Sequence, residues 1–189
     1  MKITPLAIDG AWLISAPVFN DERGSFREWF KYSEVKAATG LDFSTAQANI
    51  STSKKGVLRG IHYSLAPEGQ EKCVTCVSGS IRDVVVDLRQ DSPTFGSHIS
   101  VELNGGSGDF LLIGAGLGHS FVAREDGTHV AYLVSSEFSP QQEFGINPLD
   151  PALGIDWGFE NSELILSAKD EAAPTLSECQ AEGNLPHKL

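Results

Sequence analysis

Arg59, His62 and Lys72 carry the side chains in this sequence best suited to moving a proton or holding negative charge. They fall in Arg59-Gly60-Ile61-His62-Tyr63, with Lys72 ten residues after His62. A histidine at a strand end is by itself more often structural than catalytic, but the neighbouring cations change that reading. A neutral imidazole abstracts a proton when its second nitrogen is held, typically by a carboxylate. Asp170, in Ser167-Ala168-Lys169-Asp170, is a candidate for that carboxylate, although the sequence alone does not pair it with His62. An ammonium at Lys72 would suit a developing enolate oxygen. Tyr132, among Val130, Ala131, Leu133 and Val134, puts a phenol in an apolar strand. It reads equally as a core tyrosine with a bonded hydroxyl or as a group facing a cavity.

The other familiar chemistries lack their residues. Five histidines are present, with no His-x-His or His-x-x-x-His, and Ser64 follows His62 at i+2. A metal-binding β-barrel therefore lacks its ligand cluster, and no metal is expected. Cys73-Val74-Thr75-Cys76 is formally a C-x-x-C, but no helix start adjoins it and no second ligand pair exists. In a strand, residues three apart face opposite ways, so buried structural thiols are expected. No Gly-x-Gly-x-x-Gly follows a strand and no Gly-x-Ser-x-Gly elbow occurs, which removes dinucleotide and hydrolase readings.

Elements able to position such side chains are mostly strands. The 189 residues suit one domain with a sizeable core, and nineteen glycines and nine prolines imply many turns. Trp12 and Ile14 mark an opening strand, and Asp21-Glu22-Arg23-Gly24 a polar turn before an extended Ser25–Phe30. The β signal runs from Ala46, with strands expected over 57–62, 73–77, 81–88, 99–103, 110–113, 120–123 and 130–135. Ser78-Gly79-Ser80 reads as a turn. One helix is expected, capped by Ser33 with Glu34 in its first turn and Gly40 ending it. The last 25 residues read as irregular structure with one short helical turn. Many short strands imply a sandwich or small barrel.

The net charge of −11 argues against a nucleic-acid polymer or an anionic membrane as partner. A local basic cluster, Arg23, Arg27, Lys54, Lys55, Arg59 and Lys72, still allows a small anionic ligand. No stretch reaches transmembrane length, and the apolar run at the N-terminus is too short for a signal peptide, so a cytoplasmic location is expected.

An ordered set of motifs then narrows the reading. DERGSFRE at 21–28, LRGIHY at 58–63, KCVTCVSG at 72–79, DVVVDLR and SPTFG within 83–96, GLGHSF at 116–121, Tyr132, FSP at 138–140, DPALGIDW at 150–157 and LSAKDEAAPTL at 166–176 resemble the dTDP-4-dehydrorhamnose 3,5-epimerase family. The resemblance covers roughly residues 3–176. It implies an all-β, cupin-like β-jelly roll with a few short helices, its core at about 10–140 and residues 141–189 folding back over it. It also implies a homodimer, no metal or organic cofactor, and a dTDP-4-keto-6-deoxyhexose substrate. By the same resemblance His62 is the general base and Asp170 its partner. Lys72 then stabilises the enolate at O4, and Tyr132 handles a proton on the opposite ring face. Arg23 and Arg59 match pyrophosphate-binding positions. Phe26, Glu28, Gln47 and Asn49 match nucleotide or sugar contacts, with 23–28 contributed across the dimer, and His119 and Lys169 match the pocket lining. Ser64 stands where the family often has Gln, and Glu137 where an aromatic often precedes Phe138. The expected activity is epimerisation at C3, C5 or both. The alternatives are a single-site epimerase, a non-catalytic nucleotide-sugar-binding jelly roll and a metal cupin.

Overall fold

This computed structural model describes residues 1–67 and 69–188. Short apolar stretches punctuated by glycine turns form two facing antiparallel sheets and a separate hairpin. The first sheet runs β1 (Lys2–Pro5), β2 (Ala11–Ser15), β10 (Asp109–Ile113), β7 (Lys72–Ser78), β12 (Thr128–Val134) and β5 (Gln47–Ser53). The second runs β13 (Glu143–Gly145), β6 (Leu58–Ser64), β11 (Leu117–Ala123), β8 (Ser80–Asp87) and β9 (His98–Asn104). β3 (Val18–Asp21) and β4 (Gly24–Arg27) make the hairpin around the expected polar turn. The helices are α1 (Tyr32–Thr39), α2 (Ala168–Glu171) and α3 (Leu176–Glu182). No helix among the described residues is long and apolar enough to cross a membrane.

Period-two alternation gives both sheets two buried faces. Between them, Val74, Cys76 and Val130 meet Ile81, Val85, Leu103 and Phe121. Outside the first sheet, Cys73, Phe110 and Leu112 are covered by Val35 of α1 and by Phe43. Outside the second, Leu58, Ile61, Tyr63, Val84 and Val86 are covered by Ile146, Leu153, Trp157, Cys179 and Leu185. Each fully buried aliphatic side chain contributes about 1.5–3 kcal/mol, so the C-terminal segment is held on the sheet by several such contacts. Cys73 and Cys76 thus occupy opposite faces, both free and buried. Burial raises both thiols, Cys76 to about 11, which leaves them inert.

Two local expectations are corrected. The N-cap of α1 is Lys31, not Ser33, and makes no side-chain cap bond. The earlier start lets Lys31 and the Met1 ammonium both reach Glu34, at 3.1 and 2.9 Å, while Val35 is buried. Gly40 ends the helix in the left-handed region, as expected. The C-terminal stretch holds two helices rather than one turn, α3 beginning with a reciprocal Thr175–Glu178 capping box. β5 was not resolved as a separate strand by sequence pattern, because its inward residues are polar.

The β3–β4 hairpin leaves the sandwich where Arg27 Nη1 donates to the Gly105 carbonyl, at 2.6 Å. Gly105 lies against Val77 and Ser78, at the far end of β7 from Lys72. At ~3.3 Å per residue, that end is roughly 20 Å away.

Candidate active site

His62 is aimed between the sheets because its neighbours Ile61 and Tyr63 are buried on the outer face of β6. The chain reaches it through Gly60, whose φ is 108° and whose peptide with Ile61 is cis. A Cβ at Gly60 would stand 2.5 Å from the His119 carbonyl oxygen, where β6 and β11 shift register, so glycine is required there. Across from His62, α2 delivers Asp170. Ser167 caps this helix, accepting from Asp170 N at 3.1 Å and donating its hydroxyl to Asp170 Oδ2 at 2.9 Å. Asp170 Oδ1 lies 2.7 Å from His62 Nε2. Burial pushes the Asp170 pKa up, but His62, Ser167 and the Gly60 backbone outweigh it and hold the carboxyl below its ordinary value. An anionic Asp170 accepts the Nε2–H and leaves the opposite ring nitrogen free to take a proton.

Lys72 and Tyr132 come from the other wall, on β7 and β12, which pair along the first sheet. Lys72 is buried, and burial pushes its ammonium down to about 8 against an opposing pull from Glu143. Its Nζ donates to Gln70 Oε1. Gln70 Nε2 in turn donates to Ser136 Oγ at 3.0 Å and to Glu143 Oε1 at 3.4 Å. The Tyr132 phenol is raised by burial, with Arg59 opposing and Glu143 reinforcing.

His62, Gln70, Lys72, Tyr132 and Glu143 line one cavity of about 660 Å³, together with Gln47, Asn49, Arg59, His119, Lys169 and Asp170. Arg59 is exposed at its edge, its guanidinium donating to Ser53 Oγ and to the Thr52 carbonyl. Gln47 donates to Asn49 Oδ1 and accepts from Phe138 N at 2.9 Å, tying the 138 loop to β5. His119 Nε2 lies 2.9 Å from both oxygens of Asp83, whose carboxyl is raised by burial while His119 opposes that rise.

Nine of the twelve sequence-selected residues therefore meet at this cavity: Gln47, Asn49, Arg59, His62, Lys72, His119, Tyr132, Lys169 and Asp170. Arg23, Phe26 and Glu28 do not. Arg23 is exposed and paired with Asp21 at 2.6 Å, Phe26 is 66% exposed, and Glu28 is exposed beyond β4. Sequence reasoning missed Gln70, Glu143, Asp83 and Ser51. Asp83 had a signal, a charge on the face of β8 that also carries Ile81 and Val85. Glu143 had none, since β13 is three residues long. Among the described residues, no group of three His, Cys, Asp or Glu gathers as a metal site.

The family model described as dTDP-4-dehydrorhamnose 3,5-epimerase matches residues 5–178. The chain belongs to this family. It is 44% identical over 182 residues to the dTDP-4-dehydrorhamnose 3,5-epimerase of Streptomyces griseus, covering 96% of this chain and 90% of the relative. Among solved structures, the Mycobacterium tuberculosis epimerase superposes with a TM-score of 0.95 at 42% identity, covering 99% of this chain and 94% of that one. The Streptomyces bikiniensis 3′-monoepimerase, solved with dTDP-quinovose, superposes with a TM-score of 0.92 at 42% identity, covering 97% and 92%. The fold is thus the cupin-like β-jelly roll of these epimerases, and this family member is an isomerase acting on dTDP-sugars.

Proposed function

We propose that the protein epimerises a dTDP-4-keto-6-deoxyhexose through an enolate, converting dTDP-4-dehydro-6-deoxy-D-glucose to dTDP-4-dehydro-L-rhamnose. The observation that carries this reading is the arrangement of His62 and Tyr132 on opposite walls of one cavity. The C4 ketone acidifies the protons on C3 and C5, and inversion needs removal on one ring face and return on the other. His62, oriented by Asp170, takes the proton. Lys72 faces O4, where the enolate charge develops, and Tyr132 returns a proton from the opposite face. Arg59 grips the pyrophosphate, Gln47 and Asn49 contact sugar or nucleotide, and His119 and Lys169 line the pocket; this remote binding holds the ring in register. None of these steps needs a cofactor.

The same reading makes the protein a homodimer of one-domain chains, with Arg23, Phe26 and Glu28 completing the partner's cavity. Its support is the 18–28 segment that carries them, which Arg27 anchors to Gly105 beside the end of β7 remote from Lys72 and which exposes Phe19 and Phe26. Ile50, 73% exposed on the edge strand β5, offers an apolar surface to cover. Sedimentation at micromolar concentration should give a dimer; a monomer alone would count against it.

Proton NMR of dTDP-4-keto-6-deoxyglucose in deuterated water tests the chemistry. Loss of both H3 and H5 signals is the expected result. Loss of H3 alone would identify a single-site enzyme, a reading favoured by the likeness to the 3′-monoepimerase. Binding with no exchange at either carbon would end the catalytic reading.

A further inference from the structure

We propose that Glu143 is a positioning residue that acts through Gln70 to hold the Lys72 ammonium of the six-stranded wall oriented and charged without pairing with it directly. The inference rests on the reading of Lys72 as the group facing O4. Glu143 enters the cavity from β13, the edge strand of the opposite sheet, where it pairs with Ser64 of β6. It reaches Lys72 through an amide. Gln70 accepts from the ammonium with one end and donates to Glu143 Oε1 and Ser136 Oγ with the other.

The spacing matters chemically. An ammonium has three N–H donors, and Gln70 takes one. Among the described residues, Lys72 has no carboxylate at ion-pair distance. A direct ion pair would spend the positive charge on the protein; a carboxylate held one amide away maintains it and leaves two N–H groups for substrate. The other charged or titratable groups lining the cavity are the His62–Asp170 pair from β6 and α2, Arg59 from β6, His119 from β11 and Lys169 from α2. Of these carboxylates, Asp170 is engaged by His62 and Ser167. Glu143 is the group whose charge opposes the effect of burial on Lys72.

The test is the pH dependence of kcat for the Glu143→Gln variant, with Glu143→Asp as the conservative partner. Lys72 is expected to set the alkaline limb of the wild-type profile, near pH 8. In Glu143→Gln that limb should move about one pH unit acid, the low end of what losing a neighbouring opposite charge does. KM should change little, and Glu143→Asp should restore part of the limb. A uniform loss of kcat at every pH, or an unmoved limb, would overturn the inference. Titration of carbon-13-labelled lysines in the substrate-free protein, with the Lys72 signal identified by Lys72→Arg, reads the same shift without turnover. It therefore decides the matter even for an inactive variant. Lys72→Met separates the two failures. If that variant keeps wild-type turnover, the reading of Lys72 falls and the inference with it. If it is inactive while Glu143→Gln titrates like wild type, the inference alone falls.

Discussion

Two aspartates on the same face of β8, four residues apart and both fully buried, have opposite fates. Asp87 accepts from five donors: Arg89 N, Nε and Nη2, Ser92 Oγ and Thr94 Oγ1. Burial pushes its pKa up, yet these bonds prevail and hold it down to about 2. Among the described residues Asp83 has His119 alone, and burial wins, raising its carboxyl. The first is a knot that ties the 88–97 loop to the sheet; the second keeps a cavity side chain in place at electrostatic cost. Lys72 belongs with Asp83, a buried charge incompletely matched. A buried charge with all its partners serves the fold, and one left short of partners is available to a ligand.

The largest effect expected from this contrast is at Asp87. Asp87→Ala should cost about 3–5 kcal/mol of stability in chemical denaturation, because it strands the buried Arg89 guanidinium. Its pKa is depressed, so its contribution is present above the unfolded value of 3.8 and lost as pH falls toward about 2. A variant as stable as wild type would break the comparison on its structural side.

Lys72→Met should move stability the other way. The folded pKa is lowered from 10.5 to about 8. The folded state therefore binds fewer protons between those values, and the penalty is fully present below pH 8 and relieved as pH rises. Removing the charge should stabilise the substrate-free protein by roughly 1–3 kcal/mol at pH 7 while lowering kcat at least about 100-fold. Loss of both stability and activity would show Lys72 to be part of the fold.

Asp83→Asn should fall between. It removes an imperfectly paired charge, so stability should change by about 1 kcal/mol or less, while substrate affinity falls about tenfold as His119 loses its anchor. Isothermal calorimetry with dTDP reads the second effect. The smallest change is expected for Ser167→Ala, which removes the cap of α2 and one bond to Asp170. About 1 kcal/mol of stability and a few-fold loss in kcat should follow, measured by thermal unfolding and initial rates.

The strands from β6 to β12 were legible because their apolar alternation sits between glycine turns; Gly79, at φ 78°, turns β7 into β8 with no room for a Cβ beside Thr128. β5 was not resolved because its pattern is inverted. Gln47, Asn49 and Ser51 line the cavity, whereas Ile50 faces out. A strand that lines a polar cavity inverts the rule by which strands are recognised. The cap of α1 was misplaced because Glu34 is engaged by the Met1 ammonium, a contact between residues far apart in sequence.

The residue types needed for proton transfer, His62, Lys72, Tyr132 and Asp170, and the family to which they belong were set by the sequence itself. The motifs are local and keep their order along the chain. Which side chains share a cavity was decided only by tertiary structure. His62 and Asp170 lie 108 residues apart and meet at 2.7 Å because α2 packs against β6. Glu143 reaches Gln70 across two sheets for the same reason: a cavity between facing walls is built from residues that no spacing along one chain segment relates.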